Sequence, residues 1–209
     1  MKRLSHVHWR DVLRCNVVYI ASTVFSFFII SCNLFDTRDP ENPITDNQTL
    51  PPPLTKEALY SNFQNSLQQK SIVEYEKLFA DSSTHTRQFL FIPNQSAAVR
   101  YAAIFPAWTK TSEIDYFRNI VAAVGSSSIQ FAVTAAPTIL TYQSDSAVYT
   151  IQYSLFVPHS RPGITTQFEG RSELYMSPNK NNIWMIYRWI DFETKKDSSW
   201  SELKGQFAK

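Results

Sequence analysis

Cysteine is nearly absent: the 209 residues contain two, at positions 15 and 32. Nothing after Cys32 can form a disulfide, act as a thiol nucleophile or give a thiolate to a metal. Histidine is scarce too, and only His85 and His159 lie beyond position 8. An excess of one charge is lacking: 20 Lys and Arg stand against 18 Asp and Glu, a formal net charge of +2. A nucleic-acid binder needs a strong basic excess, so that class has no support. The sequence holds no phosphate-binding glycine loop, no zinc-ligand spacing and no nucleophile elbow, and it implies no cofactor or metal. No internal repeat is evident. What is present is 44% hydrophobic and 14% aromatic residues. That is too much for a disordered chain, and the length suits one domain with a tail.

The first 31 residues read as an export signal. Lys2, Arg3, Arg10 and Arg14 give a positive start, and Val17 to Ile30 is almost uncharged and rich in Phe, Ile and Val. Basic region, apolar region and a small residue is the order of a secretory signal. The ending Ile29-Ile30-Ser31-Cys32 resembles a bacterial lipobox. The resemblance implies cleavage between Ser31 and Cys32, with Cys32 becoming the lipidated first residue of the mature chain. Several acyl chains on that cysteine hold a protein on a membrane, at about 0.8 kcal/mol per buried methylene. An uncleaved single-pass anchor is the alternative, because residues 16–35 approach the ~20 residues that a span requires. Both readings leave the rest of the chain outside the cytoplasm, in a bacterial envelope on the periplasmic or outer-membrane side. Cleavage would remove four basic residues and Asp11, leaving 16 basic against 17 acidic residues.

Residues 32–53 read as the lipidated cysteine and a tether. Large apolar groups are few, and Pro40, Pro43 and Pro51-Pro52-Pro53 stiffen the segment toward an extended form. Residues 54–209 form the folded domain. Leu59, Phe63 and Leu67 recur at helical spacing, as do Ile72, Tyr75 and Phe79, with a change of phase at Gln69-Lys70-Ser71. Two helices, or one sharply bent helix, are expected over 54–80, with Thr55 as N-cap. Gln88 to Ile92 reads as a short strand. Residues 96–101 and 111–124 read as helices, the second with Glu113, Asp115 and Arg118 on its polar side. From Ile129 onward the period changes to two. Strands are expected over 129–142 with a bend at Ala135-Ala136-Pro137, then over 148–157, 167–176 and 183–192. Short turns between neighbouring strands make the sheet antiparallel.

Helices followed by a long antiparallel meander is an α+β order, in which a strongly curved sheet wraps over the N-terminal helices as a cone. This order resembles the nuclear transport factor 2-like fold over roughly residues 54–207. The ending Trp184-x-Ile186-x-x-Trp189-x-Asp191, then Trp200-x-x-Leu203-Lys204-Gly205-x-Phe207, is similar to that of small lipoproteins with this domain. The resemblance implies a cone with an apolar mouth and, in the enzymes of the superfamily, a carboxylate or Asp/His pair inside it as general base.

The residues do not assemble an obvious base. Asp81 and His85 lie four apart at a helix end, where solvated charges are the simple expectation; His159 falls in an exposed turn. Asp115 and Tyr116 share a helix, and Asp191 follows Trp189 at a strand end. Glu169, Arg171 and Glu173 read as a mixed-charge ladder on the outer face. Phe63, Trp108, Tyr153, Arg188 and Trp189 are the candidates to line a cone pocket. Arg188 either points inward, needing a carboxylate partner, or shares an outward face with Trp184. The expected function is therefore a membrane-tethered, non-enzymatic lipoprotein that binds a small ligand or a protein partner, or a second copy, through the cone pocket or the sheet face. An isomerase- or dehydratase-like enzyme using Asp81/His85 or Asp115/Tyr116 is the alternative.

Overall fold

The computed structural model describes residues 49–143 and 145–208. The signal segment, Ser31, Cys32 and the tether up to residue 48 lie outside the described residues. Helix α1 (Lys56–Gln68) starts at Thr55, whose side chain accepts from the Ala58 N–H at 3.1 Å. Leu59, Phe63 and Leu67 form its buried stripe. The phase change is a break between two helices: Lys70 takes a φ of 54°, and Ser71 caps α2 (Ile72–Glu76). After β1 (Leu90–Ile92), Asn94 caps α3 (Gln95–Arg100). Thr109 and Ser112 then form a reciprocal capping box at the start of α4 (Lys110–Val124), which ends at Gly125 with φ 58°.

Strands β2 (Gln130–Val133), β3 (Thr138–Gln143), β4 (Ser146–Phe156), β5 (Gln167–Pro178) and β6 (Trp184–Glu193) complete the sheet. The hydrogen-bonded order is β1-β6-β5-β4-β2, and β3 also pairs with β4. The break expected at 135–137 divides one edge in two. β2 runs along the Tyr153–Phe156 half of β4, and β3 along its Ser146–Thr150 half. The sheet is antiparallel except at one margin, where β1 joins β6 in parallel, with Phe91 opposite Trp189. A short turn cannot make that connection; the whole meander separates the two strands.

The architecture is α+β, with the inner face of the curved sheet closed over helices. Tyr149, Ile151, Tyr153 and Leu155 of β4 and Phe168, Leu174 and Met176 of β5 face this core, as period two dictates. A fifth helix, α5 (Trp200–Phe207), follows the meander. Among the described residues no helix is long and apolar enough to cross a membrane.

β6 carries a bulge that decides the face of Arg188. Met176 pairs with Ile186 but Tyr175 pairs with Arg188, so Tyr187 is an extra residue. The alternation changes phase there: Trp184 and Ile186 are inside before it, Trp189 and Asp191 after it. Arg188 therefore lies on the outer face, and Trp184 does not share that face, because the inserted residue breaks the simple count of two.

Candidate functional site

The interior of the cone is filled by α5. Every residue of this helix except Gln206 is buried. Ser199 caps it by accepting from the Glu202 N–H, and Asn94 ties its start to α3 by donating to Ser199 Oγ at 2.6 Å. Tyr101 donates to Glu202 at 2.5 Å. Gly205 is required at the contact, because a Cβ there would sit 2.3 Å from the Tyr101 ring.

Phe63, Tyr153 and Trp189, expected around a cone pocket, surround the indole of Trp200 instead, with ring centres 5.7, 4.9 and 4.6 Å away. Trp108 stands at the edge of the core and also lines an outer cleft of about 380 Å³ with Asp81, Gln88, Leu90 and Lys110. Arg188 is on the opposite side of the sheet from this group.

Two buried carboxylates anchor the interior. Glu113 was expected on the polar side of its helix, yet it has no exposed surface. Its Oε1 accepts from Tyr75 Oη (2.7 Å) and its Oε2 from Trp108 Nε1 (2.8 Å). Lys204 Nζ, also without exposure, donates to both oxygens at 2.7 and 2.6 Å. The ammonium lies 3.7 Å from the Phe91 ring centre and 3.8 Å from that of Trp189. Burial lowers the Lys204 ammonium to about 8, although Glu113 acts in the other direction. These partners come from β1, β6, α2, α4, α5 and a loop, which explains why helical periodicity alone assigned Glu113 to solvent.

Asp191 is the second centre. Its Oδ1 accepts from Tyr153 Oη (2.8 Å) and Ser172 Oγ (3.1 Å), and its Oδ2 from the N–H (2.7 Å) and Oγ (2.6 Å) of Ser201. A carboxylate at the first turn of α5 suits the positive end of that helix. The network continues: Trp189 Nε1 donates to Ser172 Oγ, the Trp200 N–H to Tyr153 Oη, and Trp200 Nε1 to Tyr116 Oη. Burial, followed by the nearby carboxylates, raises the phenols of Tyr75, Tyr116 and Tyr153 well above their ordinary range. Both carboxylates accept hydrogen bonds from internal donors on each oxygen.

The two expected acid–base pairs do not meet. His85 is buried, not solvated: its Nδ1 accepts from the Arg87 N–H at 2.9 Å, which leaves Nε2–H to donate to Ser177 Oγ at 2.9 Å. Burial lowers its pKa. Asp81 turns elsewhere, accepting from the Ser83 N–H and lying 3.6 Å from Lys110. Asp115 pairs with Arg118 at the surface, whereas Tyr116 on the same helix is inside. His159 is half-buried against Phe207, with ring centres 5.2 Å apart. Among the described residues no three His, Cys, Asp or Glu side chains are grouped as metal ligands.

The outer face of the sheet is built differently. Arg171 bonds Glu173 at 2.7 Å and stacks on Phe192 at 3.6 Å, and Glu169 lies 3.4 Å from Lys195. Of the expected mixed-charge ladder the Arg171–Glu173 pair is present, whereas Glu169 meets Lys195 instead of Arg171. Beyond it Arg87 covers Tyr187 (4.3 Å) and Arg188 covers Tyr175 (5.3 Å).

No family model and no curated protein matches the chain. Solved structures do. A nuclear transport factor 2-like superfamily protein from Salmonella enterica is 15% identical with a TM-score of 0.48, over 66% of this chain and 88% of that one. A nuclear transport factor 2-like protein of unknown function in nutrient uptake from Rhodospirillum rubrum is 10% identical with a TM-score of 0.46, over 66% and 96%. A ketosteroid isomerase-like protein from Erwinia carotovora is 10% identical with a TM-score of 0.45, over 66% and 93%. Likenesses of this degree say nothing about chemistry, and the α+β architecture rests on its own strand pairing and burial.

Proposed function

We propose that the chain is a lipid-anchored envelope protein whose folded domain is a binding module, not an enzyme, and that it works through its outer surface. The observation that carries the second part is the occupation of the cone by α5. Trp200, Leu203, Lys204 and Phe207 fill the space in which a substrate would sit, and none has exposed surface. The acid groups there hold the fold together. The lipobox-like ending at Cys32 supports the anchor. An outer sheet face bearing arginines stacked on aromatic rings supports the binding role, since Arg and Tyr are enriched where proteins make contacts.

Mass spectrometry of protein purified from membranes tests the anchor: an acylated Cys32 at the N-terminus is expected, and Cys32→Ser should abolish lipid labelling. An intact chain beginning at Met1 would sink it. For the closed interior, a fluorescent apolar dye titrated into the full chain should show no saturable binding. Saturable binding that is lost on filling the Trp108 cleft, and turnover with it, would restore the enzyme reading.

A further inference from the structure

The chain enters the domain through Pro51-Pro52-Pro53, where Asn62 Nδ2 donates to the Pro51 carbonyl and the Trp184 N–H to the Pro53 carbonyl, each at 2.8 Å. Trp184 begins β6, and Arg188 lies four residues along the same strand, roughly 13 Å away at about 3.3 Å per residue. The tether root and the Arg188 patch are therefore close along β6.

The patch has an unusual composition. Arg87, Tyr187, Tyr175 and Arg188 form a row in which each guanidinium covers a phenol and the two phenols meet edge to face, 6.2 Å apart. Leu90, paired with Arg188 across the β1–β6 ladder, is 45% exposed. The exposed Lys180 stands beside them, since its N–H donates to the Thr84 carbonyl in the loop that leads to Arg87. Among the described residues none of Arg87, Lys180 and Arg188 has a carboxylate within ion-pair distance, and Arg188 Nε has no hydrogen-bond acceptor. The nearby carboxylate, Glu173, is already engaged by Arg171 and by the Tyr175 hydroxyl. Three unpaired cations, two phenols with apolar bodies and polar tips, and an exposed leucine are the residue types that settle at the headgroup level of a bilayer.

We propose that Arg87, Lys180 and Arg188, with Tyr175, Tyr187 and Leu90, form a face that lies on the anionic phosphate headgroups of the membrane holding the chain. The proposal rests on the lipid-anchored reading and deepens it: the tether brings the face to the bilayer, and the cations orient the domain there. The guanidinium groups, placed over the rings, have N–H donors that suit phosphate oxygens.

Arginine-specific footprinting with phenylglyoxal tests it. The purified full chain is bound to vesicles of phosphatidylcholine alone, or of phosphatidylcholine with phosphatidylglycerol, and modification is mapped by mass spectrometry. Arg87 and Arg188 should be protected on the anionic vesicles and reactive on the neutral ones, with Arg118, exposed on α4, unchanged on both. High salt should remove the protection. The Arg87→Gln/Arg188→Gln variant should shed its preference for anionic vesicles, by roughly fivefold per arginine removed. Equal reactivity on both vesicle types, or protection by dissolved inorganic phosphate but not by vesicles, overturns the proposal. Association with the neutral vesicles reads the acyl anchor separately. A chain that binds only anionic vesicles keeps the face and loses the anchor; one that binds both with unprotected arginines keeps the anchor and loses the face.

Discussion

Lys204 and Glu113 show how much one buried charge pair constrains this molecule. Removing either partner leaves the other charge without water, so Lys204→Ala or Glu113→Gln should cost about 3–5 kcal/mol in denaturant unfolding. Replacing both with apolar residues should cost less than the sum of the two, and a double-mutant cycle measures the difference. The pH dependence has a definite sign. Lys204 titrates near 8 when folded and near 10.5 when unfolded. Between pH 8 and 10 the unfolded chain binds the extra proton, so stability should rise with pH there, by at most about 1.4 kcal/mol per unit. Above pH 10 the buried tyrosines reverse the trend, because the unfolded phenols ionise while the folded ones do not. Lys204→Met should flatten the rise in chemical denaturation at stepped pH. His85 acts at the other end of the scale. Its folded pKa lies below the usual 6.5, so stability should fall as pH drops through 6.5 and the unfolded imidazole takes up a proton. None of these residues declares its environment in the sequence. Glu113 sits two positions from Asp115 on a helix whose outer face is polar, and only the arrival of Lys204, ninety-one residues later, makes it a buried acceptor.

Elements were more legible than their residues. The break at Lys70, the cap at Thr55 and the divided strand around Pro137 follow from local chemistry: a left-handed residue, a side chain that accepts from a free N–H, and a ring without a donor. The bulge at Tyr187 was not legible, because nothing in Ile186-Tyr187-Arg188-Trp189 marks which residue is inserted. Its consequence can be tested. Deleting Tyr187 should leave a regular strand with Arg188 still outward and Trp189 still inward, so the variant should keep a cooperative unfolding transition by circular dichroism; loss of that transition would show that Tyr187 is not the inserted residue. Close approach at α5 gives a milder test. Gly205→Ala should cost about 1–3 kcal/mol, since the Tyr101 ring blocks a methyl group and must shift. Gly170→Ala should act likewise, because its Cβ would lie 2.6 Å from Tyr153 Oη and disturb the bonds to Asp191 and Trp200.

At the scale of the whole molecule, the C-terminal helix belongs to the core. Its amides should exchange with solvent at rates close to those of global unfolding, with protection matching β5 and β6; fast exchange confined to α5 would show a plug that opens alone. The sequence by itself determined the α+β class, the meander and the face of most strands, because periods of 3.6 and 2 are local and each element must bury one side. It also set the absence of thiol chemistry in the domain and the lipobox-like expectation at Cys32. Tertiary structure alone decided the parallel margin, the face of Arg188, the burial of Glu113 and the closing of the cone. Each of these depends on residues far apart in the chain meeting within a few ångströms, and no local pattern encodes such a meeting.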